Sequence, residues 1–149
     1  SRAPILNPFD AGLAWHRPLA WSVDILEQAV HLFRGTHDFT AFAALRGNEP
    51  RPIPEGYFRR TITQTQVAQT GEHVFITFTG TGFLYKMVRL MTGAAHEAAR
   101  GKITLEELAR LINAPLPDDK SPFCAPPDGL TLMRVHYPEE TFGDKKKIN

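Results

Sequence analysis

The sequence predicts an α+β fold, an antiparallel sheet with helices packed on one face. Residues 58–68 and 73–80 are rich in threonine and β-branched residues, and a short glycine-containing connection joins them, which is typical of a β-hairpin. Apolar residues follow helical spacing before this hairpin, at 23–34, and after it, at 83–100. The order helix, strand, strand, helix, helix, strand favours a sheet and helices in separate layers.

Capping residues support the predicted helix ends. Ser22 is the predicted N-cap of the first helix, and Gly35 follows its end. Thr104 and Glu107 have the spacing of a capping box at the start of a short third helix. Apolar residues alternate over 130–135, which predicts a last strand.

The chain has 149 residues, 42% of them hydrophobic, enough for one packed domain. Residues 1–20 are predicted to be an extended lead-in, 21–138 the domain, and 139–149 a basic flexible tail. The single cysteine, Cys124, excludes an internal disulfide and a cysteine-based zinc site, and favours a cytoplasmic location. The apolar runs are too short for a transmembrane helix, so no membrane partner is expected.

The net charge of +1 is uninformative, but the charge is unevenly distributed. Residues 34–103 hold nine basic and five acidic side chains, a balance of +4. A basic central stretch can mark a nucleic-acid surface, or it can be an ordinary solvated surface. Composition leaves both interpretations open.

Two short motifs could carry chemistry on their own. His37 and Asp38 form a pair that occurs in metal-dependent phosphohydrolases, but His31 is the only nearby further ligand, so we expect no metal. The glycines at 80–82 could bind phosphate through backbone N–H groups. Tyr85 stands where a dinucleotide fingerprint requires its third glycine, so a tight turn is the favoured interpretation.

The second predicted helix has an apolar arc and a basic side. At about 100° per residue, Arg89 lies opposite the apolar arc, beside Lys86, Gly93, His96 and Arg100. Such a side can be a solvated helix face or an anion-binding surface. Helical phase does not decide between them.

Four segments resemble, in order and approximate spacing, the motifs of TruA-type tRNA pseudouridine synthases. Residues 83–93 resemble the signature F-x-x-x-M-V-R-x-x-x-G, and residues 35–42 resemble G-x-H-D-F-x-S-F. Residues 60–62 resemble R-x-I. Residues 125–137 resemble A-P-x-x-G-L-x-L-x-x-V-x-Y. Ala41 replaces the usual serine, and the loop at 46–56 is longer than usual. None of the seven aspartates follows Arg-Thr, as the family's nucleophile does, so the chain resembles the C-terminal half of the catalytic domain.

The resemblance implies an isomerase that converts uridine to pseudouridine in the tRNA anticodon stem-loop, at tRNA positions 38–40, without cofactor or metal. The missing N-terminal half would supply the nucleophilic aspartate, and the intact enzyme would be a homodimer. Arg89 would be the catalytic arginine that pairs with this aspartate. Gly129 and Leu130 would line the uracil pocket, with Phe83 nearby.

The resemblance also gives candidates for RNA contact. They are Arg34, His37, Asp38, Phe39, Arg46, Arg59, Arg60 and Lys86. For Phe39 the alternative is a place in the core, and for the arginines a solvated surface position. Two alternative functions also remain, a non-catalytic RNA-binding module of the same fold and a metal phosphohydrolase.

Overall fold

Three helices and three antiparallel strands make up the ordered elements of a computed structural model, which describes residues 1–18 and 20–137. The helices are α1 (Val23–His31), α2 (Met87–Ala99) and α3 (Leu105–Asn113), and the strands are β1 (Gly35–Asp38), β2 (Arg59–Thr70) and β3 (His73–Gly80). The predicted α+β class is confirmed. The predicted tail at 139–149 lies outside the described residues.

The sheet has the strand order β1-β2-β3, and both pairings are antiparallel. The predicted hairpin is confirmed, because Thr70 pairs with His73 across a turn in which Gly71 has a φ of 57°. A register shift between Ile62 and Gln64 interrupts the β2–β3 pairing. Such a bulge bends a strand locally, and here it lies near the end of β3 that leads into α2.

All three helices contribute to a core on one face of the sheet. Leu26 and Val30 of α1, Met91 of α2 and Leu108 of α3 are buried together with Ile62 of β2. The alternating exposure along β3 gives the sheet a second, solvent-facing side. This arrangement confirms the predicted packing of helices on one face.

The predicted caps of the first and third helices are confirmed. The Ser22 side chain accepts a hydrogen bond from Ile25 N, and the Thr104 side chain accepts one from Glu107 N. Each bond satisfies an N–H group that has no partner within its helix. Among the described residues, no helix is both long and apolar enough to cross a membrane.

The second helix begins four residues later than predicted, at Met87 rather than residue 83. Lys86 has a φ of 59°, in the left-handed region that side chains other than glycine rarely adopt. It therefore breaks the helical path, and Phe83 lies in a linker, 81–86, between β3 and α2.

The predicted last strand is wrong within the described residues, since 130–137 contain no strand. A strand exists only where a neighbour supplies hydrogen-bond partners, and none of the three described strands pairs with this segment. The sequence analysis also missed β1, a four-residue strand without a strong apolar alternation.

The predicted extended lead-in is also only partly correct. Residues 8–10 form a 3-10 turn. The segment then folds back on itself, because the amino group of Ser1 donates to Trp15 O and Arg17 N donates to Ser1 O, each at 2.8 Å. It thereby covers part of α2.

Candidate active-site groove

A groove of about 1670 Å³ is lined by β3, by the C-terminal segment 125–136 and by the linker 81–86. Arg89 of α2 and Trp15 of the lead-in also line it. β3 is the edge strand of the sheet, so its groove side has no pairing partner among the described residues. The groove is therefore bounded by the free edge of β3 and by a C-terminal segment that pairs with no strand among the described residues.

Arg89 is fixed in the groove by the C-terminal segment. Its Nε donates to Ala125 O at 2.7 Å, and Ala125 N donates to Arg89 O at 3.0 Å. These two bonds hold the guanidinium while leaving its terminal Nη groups for another partner. No carboxylate among residues 1–18 and 20–137 forms an ion pair with it.

Gly93, one turn after Arg89, permits this arrangement. A β-carbon at this position would lie 2.2 Å from Phe123 O and 3.0 Å from Ala125 N. Any side chain here would push away the segment that holds Arg89. The spacing of arginine and glycine in the sequence thus has a structural cause, which is the close approach of residues 123–125 to α2.

The predicted substrate-binding residues lie in the same groove. Phe83 and Leu130 line it with 41% and 52% of their surface exposed, so both can contact a ligand. Gly129 has a φ of 80°, and a β-carbon there would lie 3.0 Å from Leu13 O. It packs against the lead-in, so glycine is required on both conformational and steric grounds.

Comparison with known proteins identifies the family of this chain. The family model described as tRNA pseudouridine synthase matches residues 29–138. The chain belongs to the tRNA pseudouridine synthase family. It is 34% identical over 137 residues to tRNA pseudouridine synthase A of Methylacidiphilum infernorum, and 36% identical over 139 residues to tRNA pseudouridine synthase A 1 of Protochlamydia amoebophila.

These alignments cover 92% and 91% of this chain, but only 51% and 52% of the two relatives. The chain therefore spans about half the length of the curated relatives it matches. The remaining half of each of these two relatives has no counterpart in this alignment.

A second cavity, of about 320 Å³, lies beside the groove in this family member. We call it the loop pocket, because the loop 46–56 and the linker 81–86 line it. It is bordered by Arg46, Asn48, Glu49, Tyr57, Arg60 and Tyr85. Two of the predicted RNA-binding residues, Arg46 and Arg60, thus meet in one cavity, while Lys86 lies next to it with its Nζ 5.4 Å from the Tyr85 ring.

Other predicted RNA-binding residues lie where β1 meets β2. His37 pairs with Arg60 and Asp38 with Arg59 in the strand register, and Arg34 is exposed just before β1. Asp38 accepts hydrogen bonds from the backbone and hydroxyl of Thr40, and His37 Nε2 contacts Arg34 O at 3.0 Å. These contacts shape the local turn. Whether the group contacts RNA stays a prediction.

Phe39 is the exception among the RNA-binding candidates. It is fully buried and packs edge-on against Phe42. A side chain with no accessible surface contributes to the core and cannot reach RNA, so the alternative interpretation is the correct one. Within the described residues there is also no group of three or more His, Cys, Asp or Glu side chains that could hold a metal.

The prediction that His96 lies on an exposed, basic side of α2 is wrong. His96 is only 4% exposed, and its ring lies 4.7 Å from that of Trp15 and 5.5 Å from that of Trp21. Burial, followed by the positive charge of Arg17, lowers the pKa of His96 to about 4. The imidazole is therefore neutral at pH 7, and its Nε2 can accept from Arg17 Nε at 3.5 Å.

Sequence reasoning missed the residues that complete both cavities. Tyr85 entered only as the residue that breaks a glycine motif, yet its ring lies 4.7 Å from the Arg46 guanidinium carbon. Arg134 and His136 of the C-terminal segment also line the groove. No spacing rule could have found the Arg46–Tyr85 contact, because 39 positions separate the two residues.

Proposed function

We propose that this chain forms the C-terminal part of a tRNA pseudouridine synthase whose complete enzyme isomerises uridine to pseudouridine in the anticodon stem-loop. The observation that supports this is an arginine that is held at its Nε and has no partner at its Nη groups among the described residues, in a groove with Phe83 and Leu130. An arginine so placed is suited to a carboxylate supplied from outside the described residues.

Arg89 would keep that carboxylate ionised and oriented. Enclosure in a groove disfavours the charged form of a carboxyl group and raises its pKa, whereas an adjacent guanidinium lowers the pKa. The planar fork of arginine also fixes the direction of the carboxylate through two parallel hydrogen bonds. The hydrogen bond to Ala125 O would hold this fork in place before the partner arrives.

The N-terminal half would complete the groove. Along the groove, β3 has an edge with no strand partner in the described part of the chain, and an edge strand readily accepts another strand. Residues 130–135, which are predicted as a strand, pair with none of the described strands and would gain a neighbour from the same half.

The proposed reaction is an isomerisation that needs no cofactor. The carboxylate initiates cleavage of the bond between C1′ and N1, the uracil turns, and a new bond forms between C1′ and C5. The proton leaves C5 and one is gained at N1, so atoms and charge balance. Phe83 and Leu130 would confine the uracil during its rotation, and Gly129 would hold the segment against the lead-in.

The intact enzyme, on this proposal, acts on tRNA in the cytoplasm and as a homodimer. The test is a pseudouridine assay on unmodified tRNA with two proteins, this chain alone and this chain fused to the N-terminal half of the Methylacidiphilum relative. We expect no product from the chain alone and turnover from the fusion. Turnover by the chain alone would contradict the proposal. A well-folded fusion that binds tRNA without turnover would favour the non-catalytic RNA-binding module.

A further inference from the structure

The loop pocket presents two guanidinium groups that are held on one side only. Arg60 Nη1 donates to Tyr57 O at 2.9 Å and to Arg59 O at 2.6 Å, which leaves its Nε and Nη2 without a partner among the described residues. The Arg46 guanidinium lies against the Tyr85 ring, with 4.7 Å between its carbon and the ring centroid. In the described part of the chain, neither arginine forms an ion pair with a carboxylate.

One carboxylate also borders this pocket. Glu49 accepts hydrogen bonds from Arg46 N at 2.5 Å and Gly47 N at 2.8 Å. The bond from Arg46 N is the main cause that lowers the pKa of Glu49, so this group is ionised at pH 7. The pocket thus offers cationic donors and one anionic acceptor, which suits a ligand that carries both an anion and N–H donors.

The pocket also adjoins the groove. Phe83, Leu84 and Tyr85 of the linker line both cavities, so a single strand of nucleic acid can cross the linker from one to the other. A cavity of about 320 Å³ lies at the lower end of the range for small-molecule sites. The size and charge of the loop pocket, together with its position next to the groove, indicate the class of ligand.

We infer that the loop pocket binds one unstacked nucleotide of the RNA substrate, a near neighbour of the uridine in the groove. Its phosphate contacts the free N–H groups of Arg60, and its base stacks on the guanidinium plane of Arg46, which Tyr85 supports from behind. Unpaired RNA bases are commonly recognised by stacking on aromatic or guanidinium planes. This inference rests on the proposed function, because it takes RNA to be the ligand.

The consequence is selectivity for looped RNA over duplex RNA. Bases within a helix are stacked on each other and cannot enter a pocket, whereas a loop nucleotide can turn outward. A duplex can still bind the exposed cations of the chain through its phosphates. The loop pocket therefore contributes to hairpin binding and not to duplex binding.

Fluorescence anisotropy with this chain tests the inference, with an anticodon stem-loop hairpin and a blunt duplex of the same stem as probes. We expect Arg46→Ala and Arg60→Ala each to weaken hairpin binding about tenfold, as the loss of one base stack or charged contact does. Tyr85→Leu should act like Arg46→Ala, and Tyr85→Phe should retain binding, because it keeps the ring. The matched control is Arg51→Ala, which removes the same charge from the same loop outside the pocket.

Duplex binding should change less than twofold in the three variants expected to lose hairpin binding, which are Arg46→Ala, Arg60→Ala and Tyr85→Leu. Equal losses on hairpin and duplex, or an equal loss in Arg51→Ala, would show general charge attraction and overturn the inference. Unchanged hairpin binding in all three variants would overturn it while leaving the proposed function intact. A wild-type chain without affinity for either RNA would contradict RNA contact by this half altogether.

Discussion

The groove and the loop pocket are adjacent cavities with opposite properties. The groove is large and partly apolar, it is bounded on one side by the free edge of β3, and Arg89, which the C-terminal segment holds, lacks a carboxylate partner among the described residues. The loop pocket is small and polar, and this chain alone supplies its two cations and its carboxylate. On the proposed function, another polypeptide would complete the groove, whereas the residues of this chain alone would bind a ligand in the loop pocket.

The largest expected effect is a loss of turnover from a substitution in the groove. In the fusion with an N-terminal half, Arg89→Ala should lower turnover by about 10²–10⁴, comparable to the loss of one electrostatic catalytic group. Arg89→Lys should recover only part of this, because an ammonium cannot make the planar two-point contact. Single-turnover assays of pseudouridine formation measure both. Near-normal turnover in Arg89→Ala would show that the arginine only holds the C-terminal segment and has no catalytic role.

A second substitution, at Gly93, should disturb the packing of residues 123–125 on α2 without changing the charge of the groove. Gly93→Ala should destabilise the chain by about 1–3 kcal/mol, because the new β-carbon would overlap Phe123 O. Helix propensity alone predicts the opposite sign, a gain of about 1 kcal/mol. Urea unfolding decides between them, with Thr92→Ala on the same helix as the control. A stabilised Gly93→Ala variant would refute the close approach of residues 123–125 to α2.

The free energy of unfolding should depend on pH through His96, which lines the groove. Its pKa is about 4 when folded and about 6.5 when unfolded, so only the unfolded state gains a proton between these values. Stability is therefore fully present above pH 6.5 and lost as the pH falls toward 4. Trp15, Trp21 and the charges of Arg17, Glu97 and Arg100 surround this imidazole.

We expect the wild-type chain to lose about 2 kcal/mol of unfolding free energy between pH 7 and pH 5 from this group. His96→Phe keeps an aromatic ring and removes the titration, so its loss over the same interval should be smaller by that amount. Urea titrations at the two pH values give the difference directly. Equal pH dependence in both proteins would mean that His96 titrates normally in the fold.

The smallest effect concerns the linker that both cavities share. Lys86→Gly should raise the unfolding free energy by up to about 1 kcal/mol, because glycine adopts a φ of 59° without a steric penalty. Lys86→Ala removes the same charge and keeps the penalty, so it serves as the control. Thermal unfolding of the two variants separates them. A less stable glycine variant would mean that the left-handed conformation of Lys86 carries no cost.

The sequence predicted the regular, locally determined parts of the molecule well. The bounds of β3 and the caps at Ser22 and Thr104 depend on residues close in the chain, and the structure has them as predicted. The structure also brings Arg89, Phe83 and Leu130 into one groove. Their catalytic and substrate-binding roles, which the family resemblance implies, stay predictions.

Features that depend on distant partners could not be predicted in this way. Residues 130–135 have the alternation of a strand, but a strand also needs a neighbour, and the described chain supplies none. His96 has the helical phase of an exposed residue, yet the folded lead-in places Trp15 on it. The contact of Arg46 with Tyr85 depends on the path of a long loop, which periodicity does not describe.

The most direct test of the central claim is the split between kcat and KM for Arg89→Ala and Arg60→Ala in the active fusion. A group that acts only in the transition state changes kcat, whereas one that binds substrate uniformly changes KM. We expect Arg89→Ala to lower kcat with KM nearly unchanged, and Arg60→Ala to raise KM about tenfold with kcat nearly unchanged. An Arg89→Ala variant that raises only KM would contradict the claim that the groove is the catalytic site.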